Sequence, residues 1–121
     1  MLDYHILISI FHIFIVVPFF LYVGLQRNAL PDGVYEVCFG LGIVLLLFHA
    51  YRAYIRILAS SPNAWRNLLH VVLVAPLLIY LGKKGKDANR AAYDMLLLVA
   101  FGAFGFHVYS LIELTNLIRA D

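Results

Sequence analysis

The sequence predicts an all-α membrane protein: a four-transmembrane-helix up-down-up-down bundle, made by tandem duplication of a two-helix hairpin. Three observations predict it. The chain is 64% hydrophobic and only 13% charged over 121 residues, whereas water-soluble domains carry roughly 25% charged residues. A chain this short and this apolar cannot hide its surface from water. Its apolar residues fall into four runs of about the length that crosses roughly 30 Å of hydrocarbon as a helix. The third observation is that scarce residues within those runs recur at one fixed offset.

The spans are expected at about residues 6–25, 34–57, 64–81 and 91–112. Helices satisfy their own backbone hydrogen bonds, as any spanning segment must. Barrel strands would alternate polar and apolar residues, and these runs do not. The first run lacks the basic leader and small-residue site of a signal peptide, so it is read as a span. Asn28, Pro31, Asp32 and Gly33 mark the first connection. Ser60-Ser61-Pro62-Asn63 marks the second, where Ser61 or Asn63 is placed to cap the third helix. The third connection is Gly82-Lys83-Lys84-Gly85-Lys86-Asp87. Such short links make sequential helices antiparallel neighbours. Tyr4 and Trp65 stand where interfacial aromatics belong. Arg27, Lys83, Lys84, Lys86 and Arg90 are assigned to one membrane face, and Arg52, Arg56, Arg66 and Arg119 to the other. That balance is too even to orient the chain; the slight excess leans towards both termini outside.

The repeat has an offset of 58 residues. Phe11-His12 through Tyr22-Val23-Gly24 and Leu69-His70 through Tyr80-Leu81-Gly82 both read His-x5-Pro-x3-Tyr-x-Gly. At the same offset Phe48-His49-Ala50-Tyr51 matches Phe106-His107-Val108-Tyr109, and Tyr35-Glu36 matches Tyr93-Asp94. Residues 1–58 and 59–121 are therefore read as two copies of one hairpin within a single membrane domain. Each copy has two spans and keeps its orientation, so a pseudo-twofold axis along the membrane normal is expected.

Every span carries an interior histidine: His12, His49, His70 and His107. Counting residues at 1.5 Å of rise places all four within about 5 Å of one layer. Ionisable residues inside a membrane usually face the bundle interior. In the expected bundle the diagonal, symmetry-related pairs are His12 with His70 and His49 with His107. Three functions follow. The layer could bind haem b through a diagonal pair, or a transition metal through the four rings, for electron transfer. It could be interhelical glue in a structural or assembly protein, with Tyr51, Tyr109 or Ser110 as hydrogen-bond partners. It could relay protons or gate ions, with the tyrosine hydroxyls and the carboxylates Glu36, Asp94 and Glu113 in support. A bundle this small has little room for a pore unless it forms a homo-oligomer.

Pro18 and Pro76 lie inside spans and predict symmetric kinks, as shape or as a hinge. Gly24 and Gly82 are read as helix ends, and Gly40, Gly42, Gly102 and Gly105 as points of close helix contact. Glu36 and Asp94 are read as residues that begin spans and favour the helix dipole. Glu113 is read as an ion-pair partner for Arg52 or Arg56. His5 aligns with Asn63 and is read as interfacial. Cys38 is a lone cysteine in an apolar run, read as a small buried hydrophobe. The basic residues form no stripe or tail, so nucleic acid is not an expected partner; the bilayer is. No phosphate loop, nucleophile elbow or His-Glu-x-x-His run is present, so catalysis is not expected and a redox carrier is the furthest the histidines reach.

The stretches from Phe11-His12 to Gln26-Arg27 and from Ser61-Pro62-Asn63-Ala64-Trp65 to Gly82 resemble short membrane proteins of large DNA viruses of algae and protists. That resemblance covers most of the chain. It implies a viral origin and a viral or host membrane, and it implies no chemistry.

Overall fold

Two prolines inside apolar runs give the helices their local form. The computed structural model describes the backbone of residues 3–120 and side-chain burial through residue 116. Met1, Leu2 and Asp121, and the side chain of Arg119, lie outside the described residues. The first span opens at Asp3, whose carboxylate accepts from the His5 backbone N–H at 3.1 Å, a side-chain cap for an otherwise orphan donor. Helix α1 runs Tyr4–Phe11, a π turn covers His12–Val16, and α2 continues over Val17–Gln26. Proline has no N–H and its ring crowds the carbonyl four residues back; a wider turn just before it absorbs both defects. The Val17 N–H accordingly reaches back to the His12 carbonyl, five residues away.

The second span is the unbroken α3, Asp32–Leu58, entered through Pro31 and with Asp32 in its first turn. The third has the form of the first: α4 at Ala64–Leu69, a π turn at His70–Val74 ahead of Pro76, and α5 at Ala75–Lys84. The fourth is α6, Arg90–Ala120. Four helices, within Tyr4–Ala29, Asp32–Leu58, Ala64–Asp87 and Arg90–Asn116, are long and apolar enough to cross a membrane. No strand occurs among the described residues. Much of the outer surface is apolar, with Leu25, Val44, Leu47, Val72, Leu98 and Phe101 well exposed. Water penalises such a surface and lipid does not.

The chain divides into two compact units, Met1–Leu25 with Asp94–Asp121, and Gln26–Tyr93. Each takes one helix from each expected repeat, so the units cut across the repeats. In the central unit a run of contacts shows α3 antiparallel to α4–α5. Asp32 lies 3.7 Å from Lys86, Gly82 backs onto Phe39, Gly42 meets Ala75 and Ile79, His49 meets His70, and Arg56 meets Asn67.

Several expectations change here. Gly82 does not end its helix. It lies inside α5, and a Cβ there would come within 2.5 Å of the Phe39 backbone nitrogen. Gly24 is likewise a buried residue inside α2. Of Gly40, Gly42, Gly102 and Gly105, only Gly42 is a close contact among the described residues; a Cβ on the others meets nothing within 4 Å. Asp94 falls beyond the first turn of α6, which starts at Arg90. Asn63 sits at the start of α4 without a side-chain cap; the Ser61 hydroxyl instead accepts from the Asn63 N–H at 3.2 Å.

Candidate functional site

The polar chemistry inside the helices gathers around the four histidines. His12 and His70 each begin a π turn. Each ring bonds to its own helix: His12 Nδ1 donates to the Ile8 carbonyl at 2.8 Å, and His70 Nδ1 donates to the Arg66 carbonyl at 2.7 Å. A carbonyl only accepts, so Nδ1 carries the proton in both rings, and Nε2 is the basic nitrogen when they are neutral.

His49 on α3 and His107 on α6 reach to the neighbouring helix of their own unit. His49 Nδ1 lies 2.9 Å from the Asn67 amide nitrogen, and Asn67 Oδ1 accepts from Arg56 Nη1 at 2.7 Å. Arginine can only donate, so it fixes the amide orientation: Asn67 turns its carbonyl to Arg56 and its NH2 to His49. His49 Nδ1 is therefore an acceptor, and the neutral ring carries its proton on Nε2. In the other unit His107 Nδ1 lies 3.2 Å from the Ser9 hydroxyl. A hydroxyl can donate or accept, so that contact admits either tautomer. Ser9 and Asn67 are the buried polar residues of their helices, and their numbers differ by the repeat offset of 58.

The rings then stack. His12 lies on His107 with centroids 4.3 Å apart and planes 21° from parallel. His49 lies on His70 at 4.0 Å and 13°. Each stack joins two helices, and all four rings are half-buried. The stacks join spans one with four and two with three, each within its own unit. The diagonal pairs expected from the sequence, His12 with His70 and His49 with His107, each have one member in either unit.

The supporting residues also differ from expectation. Tyr51 is exposed. The exposed Tyr109 hydroxyl donates to Glu113 Oε1 at 2.8 Å, one turn along the same helix. Glu113 is thus a partner for Tyr109, while Arg56 is held by Asn67 and the Asn63 carbonyl. Pro18 and Pro76 are exposed and act on the histidines through the π turns that precede them. Ser9 and Asn67 were missed in the sequence. The available signal was a polar residue three positions before each proline-linked histidine; it was weak because the two residues differ in type.

The arrangement orients imidazoles and closes helix pairs. A lone pair lies in the plane of its ring, so two near-parallel rings about 4 Å apart aim their nitrogens side by side. Metal–imidazole bonds of roughly 2.0–2.1 Å need those directions to converge. No cluster of three or more His, Cys, Asp or Glu side chains suited to a metal occurs among the described residues. Fold and site together define a class: an all-helical protein with four candidate membrane-spanning helices, whose paired helices are closed by stacked histidines. Comparison with protein-family models, curated proteins and solved structures found no match to the chain.

Proposed function

We propose that the chain is a structural protein of a membrane, built by tandem duplication of a two-helix hairpin, in which the histidines clamp helices together. The observation that carries this reading is the Arg56–Asn67–His49 chain of hydrogen bonds. It commits the His49 Nδ1 lone pair to the protein and leaves a proton on Nε2, so a neutral His49 is spent as a clamp. Interhelical polar contacts of this kind contribute about 0.6–2 kcal/mol each in membranes.

Duplication is supported by local geometry that recurs 58 residues on. The π turn at His12–Val16 recurs at His70–Val74, and the 3-10 turn at Arg27–Ala29 recurs at Gly85–Asp87. The Tyr35 hydroxyl donates to the Arg27 carbonyl, and the Tyr93 hydroxyl donates to that of Gly85. The Ser9–His107 contact, which joins the two copies, has its counterpart with the copies exchanged in Asn67–His49. Greasy composition alone would not reproduce such irregular features at one spacing.

A second reading, binding of haem or a transition metal for electron transfer, is favoured by one feature. His12 and His70 each donate Nδ1–H to a backbone carbonyl, the outer contact that metal-ligating histidines usually make. The absorbance spectrum and metal content of protein purified from its membrane separate the readings. The clamp reading expects no Soret band, no stoichiometric metal, and loss of thermal stability in His49→Ala. A Soret band that disappears in His12→Ala or His70→Ala would establish the ligand reading in its place.

A further inference from the structure

The two helix clamps differ in how they meet a proton. His49 Nδ1 accepts from the Asn67 NH2 at 2.9 Å, and Arg56 holds the Asn67 carbonyl at 2.7 Å. A protonated imidazole donates from both nitrogens. A proton on His49 Nδ1 therefore sets donor against donor. Turning the amide over does not help, because its NH2 would then face a guanidinium, which also only donates. The Ser9 hydroxyl, 3.2 Å from His107 Nδ1, has no such restriction: it accepts once the ring carries a proton there. His12 and His70 already donate from Nδ1 to carbonyls, and those bonds persist when the rings are charged.

The surroundings of His49 act in the same direction. Among the described residues α3 packs against α4, the π turn at His70–Val74, and α5. From α4 come Asn67 and Arg66, and from the π turn comes His70, face to face with His49 at 4.0 Å. On α5 the ionisable groups are Tyr80, Lys83 and Lys84, towards the far end of the span. Along α3 itself Arg52 and Arg56 follow His49 within two turns. No carboxylate of the chain lies within one turn of an interior histidine along its own helix. A charge on His49 is thus added beside a second imidazole and a hydrogen-bonded arginine.

We propose that the Arg56–Asn67–His49 clamp is a proton-sensitive latch, in which protonation of His49 in mild acid breaks its bond to Asn67 and releases α4 from α3 at that level, while the Ser9–His107 clamp holds. The latch rests on the reading of His49 as a clamp. Imidazole is the side chain whose charge changes near neutral pH, and a switch needs one contact whose loss biases two packed elements. Ser9 and Asn67, 58 residues apart, occupy one position of the repeat and give it two responses to acid.

Reversible unfolding of the full-length protein in mixed detergent micelles, at about pH 8 and about pH 5, tests this. The unfolded chain takes a proton on His49 that the closed clamp does not, so stability is present above about pH 6.5 and falls below it. Over that interval the unfolding constant should rise by up to about thirtyfold more in the native protein than in His49→Gln, whose amide oxygen accepts from Asn67 and does not titrate. Asn67→Asp accepts the new proton and should reverse the sign, whereas His107→Gln should keep the acid-labile part. Equal dependence in the native protein and His49→Gln overturns the latch. His49→Ala at about pH 8 tests the clamp by itself: no loss of stability there overturns clamp and latch together, and a loss there without the acid effect overturns the latch alone. In labelled native protein the nitrogen-15 signals of the His49 ring and the Asn67 NH2 should shift with one midpoint. An Asn67–His49 bond that outlasts protonation of the ring overturns the proposal, whether or not the variants fold.

Discussion

Asn67 gives its side-chain NH2 to His49 Nδ1 across 2.9 Å while its carbonyl is held by Arg56 at 2.7 Å. Three residues on two antiparallel helices thereby share one unambiguous pattern of donors and acceptors. It places the proton of neutral His49 on Nε2, whereas the bonds of His12 and His70 to backbone carbonyls place theirs on Nδ1. Nitrogen-15 spectra of histidine-labelled protein distinguish these tautomers. Two rings protonated on Nδ1 and one on Nε2 are expected, with His49 assigned through its loss in His49→Gln. Asn67→Asp keeps the partner for Arg56 but removes the donor, and should move the His49 proton to Nδ1. A His49 ring that keeps its Nε2 proton in Asn67→Asp would contradict the assignment of donors.

The two clamps should differ in strength. Asn67 is 5% exposed and Ser9 is 3%, but Asn67 satisfies two partners and Ser9 has one contact of 3.2 Å. Asn67→Ala leaves an arginine and an imidazole short of bonds, which should cost about 1–3 kcal/mol. Ser9→Ala should cost about 0.6 kcal/mol, the average for a single interhelical contact in a membrane. Reversible unfolding in mixed detergent micelles measures both. Equal losses would mean that Arg56 adds nothing to the clamp.

Close approach of backbones predicts a third outcome. Gly82 faces Phe39 so tightly that a methyl group would lie 2.5 Å from its nitrogen and 2.7 Å from its Cα. Backbone cannot swing aside as a side chain can. Gly82→Ala should therefore separate α5 from α3 at a cost of about 1–3 kcal/mol, the usual penalty for overpacking. Gly102→Ala, on an open face of α6, should be neutral or stabilise by up to about 1 kcal/mol, because alanine favours helix. The same unfolding experiment reads both, and a tolerant Gly82 would show that the two helices are less closely packed.

Much of this was legible from the residues. Hydropathy located the four helices, because length and apolar content are additive along a chain. The histidines stood out because imidazole is scarce in such runs. Which ring meets which was not legible: His12 pairs with His107 across 95 residues of sequence, and only packing within a unit selects that partner. Ser9 and Asn67 escaped because they share polarity and position but not identity. The π turns left no trace in hydropathy, since one residue of extra winding changes bonding but not composition; Pro18 and Pro76 implied only a kink. Gly82 has the sequence context of a helix end, with a basic, turn-like run after it, yet α5 continues to Lys84.

The connections at the two Tyr-held turns allow a test of strain. Arg27 has φ +53°, in the region that favours glycine, and Gly85 has φ +56° at the matching position of the other copy. In each case a buried tyrosine donates its hydroxyl to the carbonyl of that residue: Tyr35 to Arg27 at 2.7 Å and Tyr93 to Gly85 at 3.0 Å. The hydroxyl bond fixes where the carbonyl points, so the backbone must hold that conformation whichever residue occupies it. An L side chain pays roughly 1 kcal/mol or more there, from the contact of Cβ with the following carbonyl. Arg27→Gly relieves that contact but adds freedom to the unfolded chain, so a net gain of up to about 1 kcal/mol is expected. Gly85→Ala should lose a similar amount. Tyr35→Phe removes the bond that enforces the turn, costs about 1 kcal/mol by itself, and should erase the benefit of Arg27→Gly in the double variant. If the two effects instead add, the tyrosine does not hold the turn, and the positive φ of Arg27 has another cause.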